Sequence, residues 1–101
     1  MIEFMDKLKK FELMEKISRE LEDIRNSQQA VLEKIAKVEI DNIELGNKDI
    51  EKTVPDIYQR TADNSQAILD ILTSFQDLKD DFSSKNNIDK LREQQEIDNM
   101  K

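Results

Sequence analysis

The sequence contains no cysteine, histidine or tryptophan, and it has a single glycine, a single proline and a single tyrosine. Without cysteine there are no disulfides and no thiolate metal sites. Without histidine as well, there is no Ser-His-Asp or Cys-His nucleophile and no histidine-based zinc site. One glycine excludes glycine-rich phosphate loops. We therefore expect no enzyme activity, no catalytic residues, no bound metal and no cofactor.

Long apolar runs and basic patches are also missing. No stretch approaches the ~20 apolar residues that a membrane span needs, and the first residues lack the pattern of a signal peptide. The 23 acidic residues outnumber the 16 basic ones along the whole chain, which disfavours binding to nucleic-acid phosphates. The expectation is a protein of the cytoplasm, or one assembled there into a larger particle, without nucleic-acid or membrane contact.

What the sequence does contain is charge and aliphatic side chains. Charged residues make up 39% of the chain, and 28 of the 101 residues are Leu, Ile, Val or Phe, above the roughly 20% below which disorder is expected. So few turn residues favour long helices over a compact mixed domain. Such helices gain most of their stability from packing, so we expect folding to be coupled to self-association.

Apolar residues follow heptad spacing in two coiled-coil segments, residues 15–45 and 56–83, and we name the two rows of the stripe a and d. Row d consists of Ile17, Ile24, Val31, Val38 and Leu45, then in a second register Ile43, Ile50, Ile57, Asn64, Ile71 and Leu78. Row a consists of Leu21, Gln28, Ile35 and Asn42, then Asn47, Val54, Thr61, Ile68, Phe75 and Phe82. Because β-branched residues dominate row d, three or more strands are favoured over two.

The two registers do not join smoothly, which predicts a discontinuity near residues 38–55. The row d residues Val38 and Ile43 are five positions apart, where an unbroken heptad requires seven. We expect a break or kink in residues 46–55, marked by Gly46 and Pro55. The segment from Thr53 is similar to a capping box, so a new helix is favoured to start there, the alternative being a helix that continues through Pro55 with a kink.

The two ends of the chain are predicted to be distinct from the seam. Residues 1–14 form an amphipathic helix, with Phe4, Met5, Leu8, Phe11 and Met14 on one side, which we expect to cap the bundle. The alternative is docking to a lipid surface or a partner. Residues 84–101 are predicted to be a polar linker followed by a weak C-terminal helix, and the polar stretch of the linker begins at residue 83.

Polar residues inside and outside the stripe invite separate explanations. Asn64 is a candidate to fix the alignment of neighbouring chains by bonding to its symmetry mates. Aspartates also recur every seven residues at an outer position, where we favour repeat duplication and solvation over contact with a basic partner. This row consists of Asp49, Asp56, Asp63, Asp70 and Asp77.

The predicted fold is all-α: long amphipathic helices forming a parallel homo-oligomeric, trimeric coiled coil. Parallel packing is favoured because it pairs Glu20 with Arg25 and Lys34 with Glu39 on neighbouring chains. At the level of class, the seam is similar to stalk segments of trimeric phage or surface fibres, which implies a non-enzymatic structural protein that acts as a stalk or connector in a larger particle such as a virion. The alternative is a hairpin reversing at Gly46, an adaptor, chaperone or inhibitor that binds a protein partner through its apolar face.

Overall fold

The computed structural model describes the backbone of residues 2–100 and the side chains of residues 6–100. Three α-helices make up this part of the chain, α1 (Ile2–Leu45), α2 (Lys48–Lys85) and α3 (Ile88–Asn99), with no strand among the described residues. The predicted all-α class is therefore confirmed. The chain divides into two compact units: unit 1 consists of Met1–Glu20 and Leu72–Lys101, and unit 2 of Leu21–Ile71.

α1 ends because Gly46 adopts a left-handed conformation, with φ 69°. The N–H of Gly46 donates to the carbonyl of Asn42 at 2.7 Å, the bond expected of a left-handed helix cap. The Asn42 side chain extends this cap, since its Nδ2 donates to the Asn47 carbonyl and its Oδ1 accepts from the Asn47 N–H, both at 3.0 Å. Asn42 thus pairs with backbone inside its own chain.

α2 begins at Lys48, so the predicted helix start at Thr53 is wrong. Asn47 caps the new helix, because its Oδ1 accepts the N–H of Ile50 at 3.0 Å. Pro55 lies within α2 and is exposed to solvent. A proline there has no N–H to donate to the carbonyl of Glu51 one turn earlier, and the helix continues through this missing bond.

Within unit 2, α1 and α2 form an antiparallel hairpin. Gln29 of α1 donates from Nε2 to the Ser65 hydroxyl of α2 at 3.2 Å, across 36 residues of chain. In one unbroken helix those residues would lie about 54 Å apart, at 1.5 Å per residue. The continuous parallel rod is therefore wrong for this chain, and the reversal at Gly46 and Asn47 is the arrangement found.

Unit 1 contains an apolar core to which three helical segments contribute. Leu8, Phe11 and Met14 of α1 are buried together with Ile88 of α3. Side chains of α2 pack around them, and the ring of Phe82 stacks on that of Phe11 with centroids 6.4 Å apart. The apolar side of residues 8–14 is thus covered inside the chain. Two residues of the predicted N-terminal helix, Phe4 and Met5, lie outside the described side chains.

The C-terminal segment is more ordered than its sparse apolar pattern predicts. α2 extends to Lys85, where an ion pair with Asp81 at 3.0 Å supports the last turn, so the predicted polar linker at residues 83–87 is reduced to Asn86 and Asn87. Asn87 turns the chain with a φ of 49°. Ile88, the first residue of α3, has no exposed surface at all.

A polar contact holds α3 against α1 within unit 1. Arg92 forms an ion pair with Glu15, 77 residues earlier in the chain, and its guanidinium lies 5.0 Å from the centre of the Phe11 ring. One arginine therefore combines a charge pair with a cation–π contact. This combination positions α3 beside α1 although Ile88 and Leu91 are the only apolar residues of α3 that are not exposed.

Candidate protein-interaction surface

The predicted seam splits into two rows with different surroundings. Row a is half-buried at Leu21, Ile35, Ile68, Phe75 and Phe82. Row d is mostly exposed, and its exposed members include Leu78 of unit 1. Ile17 and Ile50 are the exceptions, since both are half-buried. Away from the turn, where Ile43 and Leu45 are exposed, the large apolar row d residues of unit 2 that remain exposed are Ile24 (44%), Val31 (44%), Val38 (45%), Ile57 (43%) and Ile71 (50%).

The helices are rotated relative to the predicted seam. Away from the turn, where Asn42 of row a is also buried, the most buried residues follow row d by one position. In unit 2 these residues are Leu32 at 9% exposure and Ser65 at 5%. Leu72, which is 5% exposed in unit 1, continues the heptad spacing of Ser65. A single position turns a helix by about 100°, which is enough to bring row d to the edge of the contact. Leucine at positions 32 and 72, outside rows a and d, was the sequence signal for this rotation.

The rotated contact leaves unit 2 with a narrow and polar interior. Leu32 is the only buried apolar residue among its described side chains, beside the buried polar residues Asn42 and Ser65. Arg25 Nε and Gln28 Oε1 are also buried there without a hydrogen-bond partner. Unpaired buried polar atoms cost free energy, so the contact between α1 and α2 leaves this unit modestly stabilised.

The exposed row d residues of unit 2 lie on one side of the hairpin. Row d precedes a buried position by one residue in both helices, Leu32 in α1 and Ser65 in α2, which gives it the same angular offset from the contact. Two antiparallel helices with equal offsets present those rows on the same side. We call this surface the row d face and define it as Ile24, Val31, Val38, Ile57, Asn64 and Ile71.

The aspartate row occupies the solvent side of α2, as predicted. All five of its members are exposed, and three of them take part in pairs with residues one turn away on α2. The pairs are Asp56 with Arg60 at 2.6 Å, Asp63 with Gln59 at 2.8 Å and Asp70 with Gln66 at 2.9 Å. Each such pair stabilises a helix by about 0.2–0.5 kcal/mol, which gives these aspartates a local role.

A groove of about 560 Å³ lies beside the turn of the hairpin. Its apolar lining includes Ile40 and Ile43 of α1 and Ile50 and Pro55 of α2, and Glu51 contributes a carboxylate. Ile43 is 80% exposed at this end of the hairpin. The groove adds apolar surface near the turn, and Glu39 and Asn42 also belong to its lining.

No group of three or more carboxylate, histidine or cysteine side chains within residues 6–100 is placed to hold a metal ion. None of the described helices is long and apolar enough to cross a membrane. Glu20, predicted to pair with a neighbouring chain, lies 3.9 Å from Lys16 of its own helix. Comparisons of the chain with protein-family models, curated proteins and solved structures found no match.

Proposed function

We propose that this chain is a non-enzymatic protein-association module, a helical hairpin that binds another protein surface through its row d face. The carrying observation is the near-equal exposure of five aliphatic side chains, between 43% and 50%, at heptad spacing in two adjacent helices. Contiguous exposed apolar surface of this kind is typical of interaction sites. The proposed lack of catalysis rests on the composition, which offers neither histidine nor cysteine.

The thin interior of unit 2 supports the same proposal. Full burial of an aliphatic side chain that is already half covered contributes about 1 kcal/mol, so covering the five apolar members of the row d face adds substantially to a unit with a single buried leucine. A partner that binds only the folded hairpin also raises its stability by mass action. Association therefore supplies stabilisation that the hairpin interior lacks.

Self-association and binding to a protein partner, both predicted from the sequence, remain part of the proposed function. The predicted role as a stalk does not. A stalk of the predicted type depends on a continuous parallel rod, and the reversal at Gly46 removes that basis. A hairpin instead presents a short two-helix surface. Such a surface fits helical partners that pack their own apolar stripes against it.

Site-specific photocrosslinking tests the row d face. A photoreactive phenylalanine analogue is placed at Val31, within the face, or at Lys37, an exposed control position on the same helix. In the cells that make the protein, we expect a discrete cross-linked product from position 31 and none from position 37. If neither position cross-links, or both do so equally, the row d face is not the binding surface.

A further inference from the structure

The row d face has an internal symmetry that points to its occupant. In α2, Asn64 lies midway between Ile57 and Ile71, seven residues from each. In α1, Val31 lies midway between Ile24 and Val38 with the same spacing. Each row therefore has an aliphatic residue on both sides of its centre. A second copy of the same row that runs in the opposite direction presents the same kind of residue at each of the three positions.

The two centres lie side by side in the hairpin. The hydrogen bond between Gln29 and Ser65 joins residues within two positions of Val31 and within one position of Asn64. A single two-fold axis can therefore lie in the plane of the row d face, run across both helices at right angles to them, and cross each row at its centre, at Val31 and at Asn64. An isologous interface requires such a self-complementary patch.

We propose that the occupant of the row d face is a second copy of this chain, related by a two-fold axis at Val31 and Asn64. This inference rests on the proposed function. Two hairpins then pack face to face, with α1 against α1 and α2 against α2 of the partner copy, each pair antiparallel. Ile57 of one copy packs against Ile71 of the other, and Ile24 packs against Val38.

The same face could also pack about a two-fold axis parallel to the helices, and Asn64 disfavours that second arrangement. Its carboxamide both donates and accepts hydrogen bonds, so at the axis it pairs with the identical group of the second copy. If the axis ran along the helices, α2 would pack against α1 of the other copy and set Asn64 among valines, where its amide would be buried unpaired. The polar residue in the centre of an exposed apolar row thus specifies register and orientation.

Cysteine scanning tests the axis directly, because the natural chain has no cysteine. The variant Asn64→Cys places a thiol at the axis, and the control Asp63→Cys places one on the solvent side of the same helix turn. Under mild oxidation we expect Asn64→Cys to form a disulfide dimer at least about tenfold faster than the control, since both thiols meet within bonding distance only at the axis. Equal rates would overturn the proposed axis.

The solution mass of the unmodified chain is the second readout. Sedimentation equilibrium is expected to give a dimer of the 11.9 kDa chain that dissociates on dilution. Asn64→Asp places two carboxylates at the axis, and we expect its dimer dissociation constant to rise about tenfold, whereas Asp63→Asn leaves that constant unchanged. A monomer at all concentrations overturns the inference. If position 31 then still cross-links to a different protein, the proposed function stands and only the second copy is rejected.

Discussion

The two units bury the apolar stripes of their helices with different numbers of helical segments. Unit 1 combines segments of α1, α2 and α3, whereas unit 2 has only α1 and α2. Among the described side chains, the buried apolar residues of unit 1 are Leu8, Phe11, Met14, Leu72 and Ile88, and that of unit 2 is Leu32. Two helices in contact can cover only part of each apolar stripe, so the third segment decides whether a core closes.

The units also differ in what holds their helices in place. Unit 1 relies on aromatic stacking between Phe11 and Phe82 and on the pair between Arg92 and Glu15. Unit 2 relies on its turn, where Asn42 bonds both backbone groups of Asn47. One unit is stabilised chiefly by apolar burial and the other chiefly by local hydrogen bonds, and substitutions can separate the two contributions.

The largest effect is expected from Ile88→Ala, which removes the most deeply buried side chain of the unit 1 core. Truncating a fully buried isoleucine lowers the free energy of unfolding by about 3 kcal/mol. Ile97→Ala is the matched control, since the same residue type on the same helix is 45% exposed there. Urea unfolding followed by circular dichroism measures both. Similar losses in the two variants would show that the core of unit 1 does not depend on Ile88.

An intermediate effect is expected from Asn42→Ala in the turn of unit 2. The change removes two hydrogen bonds to the backbone of Asn47, an exposed residue, at a cost of about 1–2 kcal/mol. Asn26→Ala, at an exposed position of the same helix, controls for the gain in helix propensity. Amide hydrogen exchange near the turn reports the local change. Unchanged protection of residues 42–50 would contradict the role of Asn42.

The smallest effect is expected from Gly46→Ala. No atom lies within 4 Å of the added methyl group, so the cost arises only from the left-handed backbone and amounts to about 1 kcal/mol. Gly46→Asn is the matched control, because asparagine tolerates this conformation better and is expected to lose less stability. Thermal unfolding of both variants measures the difference. If the alanine and asparagine variants were equally stable, the positive φ at position 46 would not determine the stability of this turn.

The sequence predicted the helical class and the residue types of the stripe, because heptad spacing is a local property of the chain. It did not predict chain direction. Parallel packing was favoured by the charge pairs of Glu20 with Arg25 and Lys34 with Glu39, but exposed pairs of this kind are worth only a few tenths of a kcal/mol. The turn at Gly46 and Asn47, with several hydrogen bonds, outweighs them.

The candidate surface was predicted in part. The row d residues were recognised as an apolar row, but their burial depends on the rotation of each helix, which Leu32 and Leu72 fix from outside the predicted seam. The start of α2 was missed because Asn47 caps the helix before the more familiar signal at Thr53 is reached. The packing of α3 was missed because Ile88 is buried by residues far away in the chain.

The asparagine-stabilised turn also bears on the order in which the chain acquires its structure. Asn42 and Asn47 are only five residues apart, so closing this contact costs little chain entropy, whereas Glu15 and Arg92 are separated by 77 residues. We therefore expect the reversal to nucleate folding and the docking of α3 to complete it. Refolding kinetics would show this as a higher φ-value for Asn42→Ala than for Ile88→Ala, and the opposite ranking would refute it.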